Sequence, residues 1–110
     1  VRIRRDVMVG VAYGSDVQQV KSILLEAAKE HPAVLSSPEP WVIFNNFGAS
    51  SLDFIVRFWV RHVDLGLSTC SEIREAIDAR FREHGVEIPF PQMDVHVRPG
   101  DGILKVGGGD

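Results

Sequence analysis

A chain of 110 residues, 45% apolar and 25% charged, with a net charge of −3, describes one folded soluble domain and excludes a disordered or fibrous polypeptide. At this length folding buries about 65% of the unfolded surface, enough for a single core without disulfide staples. The single Cys70 has no second cysteine to pair with, and the slight acidity offers no general attraction for nucleic acid or anionic lipid. The longest apolar run, Val7 to Ala12, falls far short of the roughly 20 residues that cross a bilayer, and no signal peptide is visible. The sequence opens mid-pattern at Val1-Arg2-Ile3-Arg4 without a methionine, so a fragment of a longer protein is expected.

From Asp6 to Tyr13 the chain is rich in valine and predicts a strand buried on both faces. Ser15-Asp16-Val17-Gln18 reads as a capping box, with Ser15 as the cap. Val17, Val20, Ile23, Leu24 and Ala27 then recur at helical spacing up to about Glu30, where Pro32 stops the helix. A stiff connector with Pro32, Pro38 and Pro40 follows, in which Val34 and Leu35 are expected to pin the loop to the core. Trp41 to Phe47 and Leu52 to about Val63 predict an antiparallel hairpin around Gly48-Ala49-Ser50-Ser51, with Leu52, Phe54, Val56, Phe58 and Val60 on one face. Beyond Gly66, read as a breaker, Thr69-Cys70-Ser71-Glu72 forms a second capping-box pattern. Cys70, Ile73, Ala76, Ile77 and Phe81 make the apolar stripe of a second helix that Gly85 ends. Val86 to Ile88 predicts a short fourth strand before Pro89 and Pro91 exclude ordinary central pairing.

The order β-α-β-β-α-β predicts an α+β, ferredoxin-like fold: a four-stranded antiparallel sheet, strands one and three central, with two helices on one face, followed by an extra C-terminal strand. Period-2 alternation then places Trp41, Ile43, Asn45 and Phe47 beside Ile55, Arg57 and Trp59 on the other face. That face is too apolar for water, and Trp41, Ile43, Ile55, Arg57 and Trp59 are the candidate interface. Domain boundaries are expected at 1–91 for the α+β unit, 92–98 for a strand that drives oligomerisation and 99–110 for a flexible tail. A strand behind two prolines is surplus to a completed domain; Met93, Val95 and Val97 alternate on one side of it and can pair with equivalent strands of other subunits in a closed barrel. An extended tail packed on its own domain is the plainer alternative.

Other chemistries leave weaker marks. An RNA-recognition motif uses this fold and stacks bases on sheet aromatics, and Ile55-Val56-Arg57-Phe58 brushes its pattern. The Lys/Arg-Gly-aromatic-Gly start of that pattern is missing, Leu52 and Asp53 standing nearby, and the Arg2, Arg4, Arg5 cluster reads as a solvated edge. An acylphosphatase-like enzyme needs an arginine after the first strand, where Tyr13-Gly14-Ser15-Asp16 offers an acid that repels anions instead; Asn45 and Asn46 near a turn are routine. No enzyme is expected. His31, His62, His84 and His96 lack metal-ligand spacing, His31 and His84 sit at helix C-terminal ends, and Met8 and Met93 read as core or interface filler, so neither metal nor cofactor is expected.

The segments Val9-Gly10-Val11-Ala12-Tyr13-Gly14-Ser15-Asp16, Phe47-Gly48-Ala49-Ser50-Ser51-Leu52, Phe54-Ile55-Val56-Arg57-Phe58-Trp59 and Gly85 to Val97, with its Pro-Phe-Pro-Gln-Met-Asp-Val core, are together specific. By them the chain resembles the C-terminal cytoplasmic domain of the bacterial small-conductance mechanosensitive channel (MscS) family, from Asp6 to Val97. The resemblance implies a homoheptameric channel of the bacterial inner membrane that opens under tension and releases ions and small solutes in osmotic downshock. It implies that this stretch is the lower wall of a hollow cytoplasmic vestibule with side portals. Membrane attachment would come through N-terminal helices that this sequence does not contain, and nucleic acid would have no part. By the same likeness Met93 to Val97 matches a barrel-forming strand, and Pro89, Pro91 and Gln92 the bend into it. Alone, the fragment is expected as a monomer or a non-native dimer. A ligand- or RNA-binding module that uses the open sheet face is the alternative.

Overall fold

The computed structural model describes residues 2–89. The elements run β1 (Ile3–Val11), α1 (Val17–Lys29), β2 (Trp41–Phe47), β3 (Leu52–Val60) and α2 (Val63–His84). Among the described residues the sheet has three antiparallel strands in the order β1-β3-β2, so β3 is central and β1 forms an edge. Val7 and Val11 of β1, Val42 of β2 and the alternating Leu52, Phe54, Val56, Phe58 and Val60 of β3 point into one core. Val20, Ile23, Leu24, Ala27 and Ala28 of α1 and Cys70, Ile73, Ile77 and Phe81 of α2 close it from the helical side. The architecture is α+β with both helices packed against one side of the sheet, as the periodicities of 2 and 3.6 predict.

The expected fourth strand is not found at Val86 to Ile88. That stretch is irregular, and one backbone hydrogen bond, from Ala12 N–H to the Glu87 carbonyl at 2.8 Å, lays it beside the outer edge of β1. Pro89 follows immediately and has no N–H to extend a ladder. The strand expected over 92–98 and the tail over 99–110, with Pro91, Gln92, Met93, Val95 and Val97, lie outside the described residues.

β1 is buried on one face only: Val7 and Val11 are inside, while Met8 is 62% exposed. Its valine-rich run reads as two-sided because Gly10 and Ala12 on the other face are small rather than polar.

Helix boundaries also move. Asp16, not Ser15, caps α1: its carboxylate accepts from the N–H groups of Gln18 and Gln19 at 3.0 and 3.2 Å, while the Ser15 hydroxyl donates to the Ala12 carbonyl at 2.7 Å. α2 begins two turns before the expected capping box, so Gly66, Thr69 and Cys70 lie buried within it. Gly66 does not break the helix because it packs over Arg5 of β1: a Cβ there would run into the Arg5 guanidinium. Gly85 does end it, at φ 69°, with the N–H groups of Gly85 and Val86 both turned to the Phe81 carbonyl. Val34 packs against the core and Leu35 N–H donates to the Trp59 carbonyl at 2.9 Å, so the connector is pinned as expected.

Candidate functional site

The sheet face away from the helices carries most of the residues that the alternation predicts, and strand register arranges them in rows. Arg4 lies opposite Trp59; Asp6, Arg57 and Trp41 form the next row; Met8, Ile55 and Ile43 the next; and Gly10, Asp53 and Asn46 the last. Trp41 is 58% exposed, and Ile43, Ile55, Arg57 and Trp59 are half-buried by their neighbours in the sheet. An apolar band thus runs across all three strands, and among the described residues no helix lies over it.

One charged pair sits inside that band. Arg57 donates through Nε and Nη2 to the two carboxylate oxygens of Asp6, both at 3.0 Å, a bidentate fork across β1 and β3. Arg4 Nε adds a looser approach at 3.9 Å. The hydrogen bonds from Arg57 hold the Asp6 carboxyl below its ordinary range, and Asp6 in turn holds Arg57 above its own. Arg57 is therefore not a free cation waiting for a phosphate. Its charge is already matched on the face.

The bulge between Phe44 and Asn46 changes one assignment. It takes up Asn45 and reverses the alternation, so Phe47 pairs with Leu52 on the helical side of the sheet and not beside Trp41; at the strand's end it stays 71% exposed. The Phe47 ring meets Phe44 edge-on at 5.1 Å, and Phe44 stacks on Phe54 at 5.0 Å. Strict period-2 counting cannot anticipate a bulge. The adjacent Asn45-Asn46 pair just before Phe47 is the only local signal of one.

Met8, Asp6 and Arg4, which sequence reasoning did not place on this face, complete it. Their positions follow from parity once Val7 and Val11 are known to be inside. At the far end two of the quoted segments meet: the Tyr13 hydroxyl donates to the Gly48 carbonyl at 2.5 Å, tying the β1–α1 loop to the β2–β3 turn. Gly48 N–H closes that turn onto the Ser51 carbonyl at 2.7 Å, and the Ser51 hydroxyl donates to Asp53 at 2.6 Å. A Cβ on Gly48 would stand 2.6 Å from Asp53 Oδ2 and 2.9 Å from the Ser51 carbonyl, so only glycine fits there without a shift.

His31 and His84 serve the scaffold. His31 accepts the Ala33 N–H on Nδ1 at 3.0 Å, leaving Nε2 to donate to Glu72 of α2 at 2.6 Å. Beside it Arg80 pairs with Glu30, so the end of α1 is clasped twice to α2. His84 bonds the Arg80 carbonyl through Nδ1 at 2.9 Å, and His62 precedes α2 without a side-chain capping bond. Among the described residues no three His, Cys, Asp or Glu side chains gather to hold a metal, and no helix is long and apolar enough to cross a membrane. Pro89, half-buried, ends the described chain; Pro91 and Gln92 of the expected bend lie outside the described residues.

Residues 6–88 match the family model described as "Mechanosensitive ion channel MscS, C-terminal". The chain belongs to the MscS family. It is 42% identical over 102 residues to the mechanosensitive channel MscK of Escherichia coli, covering 91% of this chain and 9% of that protein. An uncharacterised MscS family protein of Haemophilus influenzae is also 42% identical, over 95 residues, 86% of this chain and 9% of the relative. The small-conductance mechanosensitive channel of Edwardsiella ictaluri is 35% identical over 97 residues, 86% of this chain and 32% of that channel. The crystal structure of Helicobacter pylori MscS in its closed state matches with a TM-score of 0.77 at 27% identity, over 88% of this chain and 38% of that one. The chain thus spans about a tenth to a third of the MscS proteins it matches, and it corresponds to the part that the family model calls C-terminal.

Proposed function

We propose that this chain is part of the cytoplasmic vestibule of a mechanosensitive channel in the bacterial inner membrane, one that opens under membrane tension to release ions and small solutes in osmotic downshock. The observation that carries the reading is the match of residues 6–88 to the C-terminal domain of the MscS family. In this reading the domain lies on the cytoplasmic side, helps assemble a homoheptamer and filters solutes; it forms no part of the pore. Met93, Val95 and Val97, in the segment 92–98, join the equivalent strands of other copies in a small barrel, and Pro89, Pro91 and Gln92 turn the chain into it. The open face at Trp41, Ile43, Ile55, Arg57 and Trp59, now with Met8, is a contact surface within the assembly. Its exposed apolar band and internally matched charge suit a protein neighbour better than a phosphate backbone.

The test is ionic current from membrane patches under graded suction, recorded on the full-length parent in a host without its own stretch-activated channels. Stepwise currents that rise with tension are the expected result; silence from well-expressed, inserted protein overturns the channel reading. The competing use of the open face is checked by titrating tryptophan fluorescence with single-stranded RNA at moderate salt. Stacking on Trp41 or Trp59 would give saturable quenching that alanine replacement weakens, and the assembly reading expects none.

A further inference from the structure

His31 joins three parts of the structure, and the direction of one hydrogen bond fixes where its proton sits. At the end of α1 its backbone N–H donates to the Ala28 carbonyl at 3.2 Å and its carbonyl accepts the Val34 N–H at 3.1 Å, so residues 31–34 form a tight turn. Pro32 has no N–H, and the remaining donor of the turn, the Ala33 N–H, is bonded to the His31 ring at Nδ1, at 3.0 Å. A backbone amide only donates. Nδ1 therefore presents a lone pair, and the ring's proton is on Nε2, 2.6 Å from the Glu72 carboxylate of α2.

A second proton on this ring must land on Nδ1, where it would face another donor, so the bond from Ala33 is lost. The bond to Glu72 gains instead, because it becomes charge-assisted, and the C-terminal carbonyls of α1 favour a cation at the same place. The other charges around the end of α1 are Lys29 in its last turn and Glu30, which is paired with Arg80 of α2; residues 32–38 of the connector carry none. His84 shows the opposite wiring. Its Nδ1 donates to the Arg80 carbonyl at 2.9 Å, so a second proton lands on Nε2 and that bond stays.

We infer that His31 is a proton-operated latch between α1, α2 and the connector. Neutral, its ring ties Ala33 and Glu72 together; protonated, it lets go of Ala33 and holds Glu72 alone, and more firmly. The change stays local, since the Leu35 N–H remains on the Trp59 carbonyl and the Val34 side chain on the core. Histidine is the side chain suited to such a switch, and here one proton moves a contact from the connector to the helix pair. The latch is independent of the vestibule reading, because both of its positions lie within one copy of the chain.

The experiment follows the nitrogen-15-labelled 110-residue chain by NMR from about pH 8 to about pH 5, the range in which histidines change charge. At the upper end the ring spectra should show the Nε2–H tautomer for His31 and the Nδ1–H tautomer for His84. A scalar coupling across the N–H···N bond should link the Ala33 nitrogen to His31 Nδ1 and vanish in step with protonation of that ring, while the Leu35 amide resonance holds its place. In Glu72→Gln the His31 ring should titrate at lower pH, because the charge that favours the imidazolium is gone. An Nδ1–H tautomer for neutral His31, a missing coupling at the upper end, a ring that stays neutral throughout, or an Ala33 amide indifferent to the ring's titration overturns the latch. An unchanged His31 titration in Glu72→Gln overturns the transfer to Glu72. These readouts need no assembly, so a silent channel would sink the vestibule reading without touching them.

Discussion

Asp6 and Arg57 show how one pair can make an otherwise apolar sheet face both specific and pH-sensitive. The two hydrogen bonds from Arg57 lower the Asp6 carboxyl below its unfolded value, so the folded state binds its proton less readily than the unfolded chain. The stabilisation this gives is fully present above the unfolded carboxylate range. It is lost as pH falls through the depressed folded value. Asp6→Asn should therefore lower the melting midpoint at neutral pH, and the gap to the parent should close as the pH drops below about 4. Melts taken from pH 7 to pH 2 check this, and a gap that stays constant across the range would show that the pair adds no proton-linked stability. Both groups keep contact with solvent, so the effect belongs with partly exposed pairs and stays modest.

At the scale of elements, the packing of α2 on β1 hinges on one position. Gly66 lies inside the helix, buried, because the Arg5 side chain fills the space where a Cβ would stand. Glycine in a helix costs about 1 kcal/mol relative to alanine, so Gly66→Ala pits helix propensity against a clash. With Arg5 in place the substitution should destabilise the protein; in an Arg5→Ala background the same change should stabilise it, by up to about 1 kcal/mol. Denaturant titration of the four proteins measures both signs, and stabilisation in both backgrounds would dissolve the proposed role of Arg5. The same position shows where sequence reading stops. The core stripes of α1, β3 and α2, the hairpin and the stop at Gly85 follow from local periodicity and turn chemistry, and all are observed. A glycine that serves as a contact hole looks locally like a breaker, since its cause is a side chain 61 residues earlier. The bulge at Asn45 hides for a related reason: register is a property of two strands, and Phe47 changes sides only because β3 is one residue shorter there. Trp41, Ile43, Ile55, Arg57 and Trp59 were legible because they precede the bulge or lie on the regular strand. Met8 and Asp6 were not, because Met8, Gly10 and Ala12 give the open face of β1 no polar alternation to set it apart from the buried one.

For the molecule as a whole, the division of labour between a domain and the strand that follows it decides how the chain behaves alone and assembled. Among the described residues the buried core cluster runs from Val7 to Phe81, and the chain after α2 is tied beside β1 by the Ala12 N–H to Glu87 carbonyl bond. On the vestibule reading Met93 to Val97 serve assembly rather than the domain's own core, so their removal is expected to change intrinsic stability by no more than about 0.5 kcal/mol, the range of a change remote from buried groups. Deleting Met93 to Val97 should thus preserve a cooperative melt with an unchanged midpoint. In the full-length parent the same deletion should shift the protein from its assembled form to smaller species during sedimentation in detergent. Copies held side by side by the rest of a channel add a strand contact at high effective concentration, and that contribution disappears with the strand. If the shortened domain instead melts without cooperativity, the strand completes its own domain's core, and the barrel assignment of 92–98 falls with it.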